Sequence, residues 1–149
     1  MIKKKHTGVI FALIFLAGLF VLVKINNHQL SDANKSYCSL EHGQCEINQG
    51  EQSILLQIQP ESIPLEEELS LTFTLPSGYN ITRGWITGIN MYMGKIPLII
   101  ESVDNNQTQA VTFLGSCSEP DMQWLMTLEV ENTHRQQTDT LYFRFRTHR

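Results

Sequence analysis

Two short stretches hold the side chains best suited to chemistry: Asn90-Met91-Tyr92-Met93-Gly94-Lys95-Ile96-Pro97 and Cys117-Ser118-Glu119-Pro120-Asp121-Met122-Gln123-Trp124. Alternate residues of a strand lie on one face, so Met91 and Met93 would present two thioethers about 7 Å apart. Thioether and thiolate are soft donors, which select Cu(I) over Mg, Ca or Mn. A thioether also carries no competing proton, so a site built on it tolerates acidity better than His or Cys ligands do. If the two stretches meet, Met91, Met93, Met122 and Cys117 form a sulfur site for Cu(I). The same residues have a plainer reading, because an unbranched Met fills irregular gaps in a core. Met126 shares the parity of Met122 and reads as core, as do Trp85 and Trp124.

Cys38 and Cys45 are the other two cysteines, with His42-Gly43 between them as a hairpin apex. A disulfide across so short a loop is geometrically feasible, worth about 2–3 kcal/mol by chain entropy. Cys-x3-His-x2-Cys as a metal half-site, or free thiols, are the competing readings. Either pairing leaves Cys117 over, and an odd thiol in an oxidising compartment must be buried, capped or used.

Enzyme chemistry finds little support. No Walker-type loop, GxGxxG or HExxH occurs. His28, His42, His134 and His148 fall in linker, loop or terminus with no nucleophile motif beside them, and Cys117 lacks a Cys-x-x-Cys partner. The sequence reads as non-enzymatic. From Lys24 onward 8 Lys/Arg stand against 15 Asp/Glu, a balance of −7, which argues against a sequence-independent nucleic-acid binder.

The elements that must position these residues read mainly as strands. Ile54, Leu56 and Ile58 mark a first run, and Leu69, Leu71, Phe73 and Leu75 a second. Ile81, Arg83, Trp85, Thr87, Ile89, Met91 and Met93 share one parity, Ile96 to Val103 reads as one strand, and Gln109 to Leu114 as another. Met122 to Val130 alternates, and Leu141, Phe143 and Phe145 face inward while Tyr142, Arg144 and Arg146 face out. About seven short strands at spacings of roughly ten residues predict an antiparallel, immunoglobulin-like β-sandwich. Arg144 and Arg146 would then blunt an edge strand against aggregation.

Thr7 to Val23 is a run of 17 residues without a charge, which as a helix spans roughly 25 Å. It could be a cleaved signal peptide or a retained anchor. It is longer than an ordinary signal-peptide core and runs into Lys24 without a small-x-small site, so a single transmembrane helix is the expectation. Lys3, Lys4 and Lys5 before the run place the N-terminus in the cytoplasm. The expected order is a cytoplasmic stub at 1–6, an anchor at 7–23, a linker at 24–50 containing the Cys38–Cys45 loop, and a periplasmic sandwich at 51–149. That arrangement places the chain in a bacterial inner membrane, single-pass, with its C-terminal domain in the periplasm.

The stub, anchor and small sandwich, with Asn-Met-Tyr-Met-Gly-Lys-Ile-Pro in mid-domain and a late Met-x-Trp strand, resemble the FixH/YtkA-like group of membrane-anchored periplasmic proteins. The resemblance covers about Leu69 to Val130. It implies copper handling and haem-copper oxidase assembly, with Met91 and Met93 facing Met122 and Trp124, and a copper chaperone or oxidase subunit as partner. Two features depart from the group's pattern: Asn90 stands where a His often accompanies the Met pair, and Cys117 is an addition. The alternative is a metal-free envelope interaction module in which the Met residues are core or an adaptable contact surface.

Overall fold

Alternating apolar residues with polar or Gly-containing turns between them build a chain made of strands. The computed structural model describes residues 37–40, 42–49, 52–104 and 106–149. The expected anchor at 7–23, the stub and the linker as far as residue 36 lie outside the described residues. Among the described residues no helix is long and apolar enough to cross a membrane.

Among the described residues there are ten strands: β1 (Tyr37–Ser39), β2 (Gln44–Gln49), β3 (Gln52–Gln59), β4 (Glu68–Thr74), β5 (Tyr79–Gly88), β6 (Ile96–Pro97), β7 (Ile99–Asp104), β8 (Gln107–Phe113), β9 (Asp121–Asn132) and β10 (Gln137–His148). They form two five-stranded sheets, ordered β1-β10-β9-β5-β6 and β2-β3-β4-β8-β7. All pairings are antiparallel except that of β1 with β10, which is parallel. One core lies between the layers. Ile54, Leu56, Ile58, Leu69, Leu71 and Phe73 from one sheet meet Ile86, Trp124, Met126, Leu128, Phe143 and Phe145 from the other. Trp124 is fully buried, and its indole N–H donates to the Thr147 hydroxyl at 2.9 Å.

Four features differ from the sequence reading. Residues 37–49, taken as linker, supply β1 and β2, and a disulfide joins Cys38 of one sheet to Cys45 of the other with Cα atoms 6.0 Å apart. The stretch from Ile96 to Val103 is two strands: β6 pairs with β5, Leu98 turns inward, and β7 pairs with β8 in the opposite sheet. The last strand is no edge, because β10 lies between β1 and β9. β1 covers β10 from Tyr142 to Arg144, so Arg144 does not guard an open edge, whereas Arg146 lies beyond that pairing.

The fourth difference bears on function. The β5 register shifts between Ile81 and Arg83, so Thr82 is an extra residue that reverses which side chains face inward. Before the bulge Tyr79 and Ile81 pack on the core; after it the inward positions are Gly84, Ile86 and Gly88. Trp85 is consequently half-buried, with the Lys95 ammonium 4.4 Å from its ring centroid, and is not a core residue. The strand ends at Gly88, so Met91 and Met93 are not strand residues.

Candidate functional site

The β5–β6 connection, residues 89–95, and the β8–β9 connection, residues 114–120, meet the start of β9 at one end of the two-layered fold. Ile89, just past β5, still donates its N–H to the Gln123 carbonyl at 2.8 Å. Asn90 continues the pairing with its side chain. Its Nδ2 donates to the Asp121 carbonyl at 2.8 Å, and its Oδ1 accepts the Gln123 N–H at 2.9 Å. The carboxamide thereby stands in for a peptide group opposite β9, and the main chain is released to fold back over the end of β5.

That return needs Gly88. A Cβ there would lie 2.1 Å from the Met91 carbonyl oxygen and 2.9 Å from the Met122 methyl carbon. The Met91 backbone and the Met122 methyl group therefore share the space left by a missing side chain. Met93 reaches the other connection, its methyl carbon lying 3.6 Å from where a Gly115 Cβ would stand, two residues before Cys117. Met91, Met93 and Cys117 are half-buried and pack against the core, whereas Met122 is only 1% exposed. Tyr92, between the two Met residues, points outward at 91% exposure.

Met122 and Met93 are thus placed by their methyl carbons beside Gly88 and Gly115, and Met91 by its backbone carbonyl beside Gly88. Met91 and Met93 lie on a loop and not on one strand face as expected, and Met122 lies at the head of β9. Met126 faces Ile86 across the sheet and is fully buried core. Cys117 donates its S–H to the Glu119 carbonyl at 3.7 Å, and its own carbonyl accepts a hydrogen bond from the Arg149 guanidinium at 3.1 Å. The C-terminus is tied to the same loop, since Arg149 N–H donates to the Pro120 carbonyl at 3.0 Å and His148 pairs with Asp121. Among the described residues no group of three or more His, Cys, Asp or Glu side chains is placed to hold a metal ion.

Sequence reasoning picked the sulfur residues and missed what positions them. Gly88 and Asn90 are the positioning residues, and both carry a readable signal: a Gly that ends an alternating run, followed by an Asn able to mimic a strand peptide. No family model matches the chain, and neither a curated protein nor a solved structure does.

Proposed function

We propose that the chain is a non-enzymatic accessory protein of the bacterial envelope that holds Cu(I) as cargo through Met91, Met93, Cys117 and Met122. The reading is supported by one observation above all: the loops carrying Met91, Met93 and Cys117 and the head of β9 carrying Met122 lie at one end of the fold, with Met91, Met93 and Cys117 half-exposed. Met91 and Met93 are not closed off as Met126 is, whereas Met122, at 1% exposure, is as closed off as core and would be the buried donor of the set. The thioethers are neutral soft donors that suit Cu(I) and permit transfer by ligand exchange, while Cys117 would bind as thiolate and release its proton. The resemblance to the FixH/YtkA-like group adds the rest of the proposal. The segment at 7–23 anchors the chain in the inner membrane, the immunoglobulin-like domain faces the periplasm, and the metal passes between a copper chaperone and a haem-copper oxidase subunit under assembly.

X-ray absorption at the copper edge, on full-length protein loaded anaerobically with one equivalent of Cu(I), tests the site. The reading expects a first shell of sulfur alone. A shell dominated by nitrogen or oxygen would refute it.

A second reading rests on the β7 edge. All six residues of β7 are exposed, with Ile99 at 53% and Val103 at 64%; Ile99 pairs with Val111 of β8, two residues before the exposed Phe113 (49%). An open apolar edge is a template for an added strand. On this reading the domain is a metal-free docking module, and sulfur substitutions would leave its function intact.

A further inference from the structure

We infer that the outer face of the β1-β10-β9 sheet carries a separate binding cleft for a ligand bearing two carboxylates and an apolar segment. The cleft encloses about 470 Å³ and is bounded by Tyr37 and Ser39 of β1, Gln123 of β9, and Arg144 and Arg146 of β10. That volume lies within the ordinary range for small-ligand sites, about 300–1,000 Å³.

The charge arrangement carries the argument. Between residues 37 and 149 six Lys/Arg stand against fourteen Asp/Glu, a balance of −8. Two of those six cations are placed side by side in one cleft, and no carboxylate pairs with either among the described residues. By contrast Arg83 has Glu129 at 2.7 Å. Like charges set about 7 Å apart on one strand face repel each other, so the arrangement is at its best when an anion lies between them. Arg144 is also held in place, its guanidinium stacked 3.7 Å over the Tyr37 ring centroid. Stacking occupies the face of the guanidinium and leaves its in-plane N–H fork to donate.

The rest of the lining describes the ligand. Tyr37, Ser39 and Gln123 offer neutral polar groups, while Leu40 and Ile89 supply apolar surface. Two forks spaced along a strand beside apolar surface suit two separated carboxylates joined by methylene or side-chain carbon. A compact dianion such as phosphate would engage one fork and leave the other unpaired. A free dicarboxylate and two acidic side chains of an extended partner segment share this chemistry. The inference does not depend on copper binding, although Ile89 and Gln123 adjoin Asn90 and Met122 in the chain.

Isothermal titration calorimetry on full-length protein in a zwitterionic detergent tests it, with glutarate, inorganic phosphate and an acetylated Leu-Glu-Leu-Glu-Leu peptide as probes. Glutarate or the peptide should bind, less tightly as salt rises, with about tenfold loss in Arg144→Gln and again in Arg146→Gln. Arg135→Gln, in the exposed β9–β10 turn, should bind as wild type does. Binding of glutarate identifies a free dicarboxylate, and binding of the peptide alone identifies a protein segment; either result supports the cleft. Phosphate binding tighter than both, no binding of any probe, or equal loss in Arg135→Gln would overturn it. Arg146→Lys, which keeps the charge without the fork, guards against a folding artefact and should lose less than Arg146→Gln.

Discussion

Gly88→Ala tests whether the loop carrying Met91 and Met93 is locked down as described. The added Cβ would stand 2.1 Å from the Met91 carbonyl oxygen and 2.9 Å from the Met122 methyl carbon. Carbon–oxygen contacts in proteins rarely close below about 3.3 Å, so the Met91 carbonyl must retreat by about 1.2 Å. The obstructing atom is backbone, fastened through the hydrogen bonds of Ile89 and Asn90 to β9, and no rotamer change can relieve it. Overpacking of this kind costs about 1–3 kcal/mol. With about 2.1 cal/mol/K of unfolding entropy per residue, 2 kcal/mol lowers the Tm by about 8 °C in a domain of this size. Differential scanning calorimetry of Gly88→Ala beside Gly115→Ala supplies the comparison. The second change meets only the Met93 methyl carbon, at an ordinary 3.6 Å, and should move the Tm by less than about 2 °C. Gly88→Ala should also weaken Cu(I) binding, because it displaces Met91. Equal melting of the two variants, or a Gly88→Ala protein within 2 °C of wild type, would refute the packing argument.

Other expectations follow from the same structure. Thr147→Val removes the acceptor of the buried Trp124 indole N–H and should cost about 1–3 kcal/mol, read as a lower urea midpoint at unchanged m-value. Replacing Cys38 and Cys45 together by Ser opens a seven-residue separation that ties the two sheets. The chain-entropy model puts that loss at about 2.5 kcal/mol, and added reductant should lower the wild-type Tm toward that of the variant. Arg83→Gln removes an ion pair whose arginine is 73% exposed, so denaturation should register less than about 1 kcal/mol. Val103→Lys charges the open β7 edge and should reduce self-association in analytical ultracentrifugation, with stability unchanged within about 0.5 kcal/mol.

What could be read from the residues depended on how regularly they alternate. The β4, β9 and β10 runs were legible because Leu69, Leu71 and Phe73, then Met122 to Val130, then Leu141, Phe143 and Phe145 keep one parity from end to end. The β5 run misled because its inward positions after the Thr82 bulge are Gly84, Ile86 and Gly88. Glycines hide an inward face, and the larger odd-numbered residues Arg83, Trp85 and Thr87 suggested the opposite one. Gly84 leaves room for Leu98, whose Cδ1 would lie 2.6 Å from a Cβ there. That packing in turn explains why Ile96 to Val103 cannot remain one strand, since Leu98 turns inward where the chain changes sheets. β1 was invisible because three residues show no periodicity, and its pairing with β10 is nonlocal. The sulfur residues were legible by type. The path of the loop that carries Met91 and Met93 was not, because it depends on the carboxamide of Asn90 and on space at Gly88.

The most direct test of copper carriage is an anaerobic Cu(I) competition titration on the full-length protein beside the Met91→Leu/Met93→Leu double variant. Leu nearly conserves volume, so the fold should persist at a cost below about 1.5 kcal/mol per site while the soft donors vanish. The account predicts tight, one-to-one binding by wild type that is lost in the variant. Equal, weak binding by both proteins would contradict it and leave the β7 edge as the basis of function.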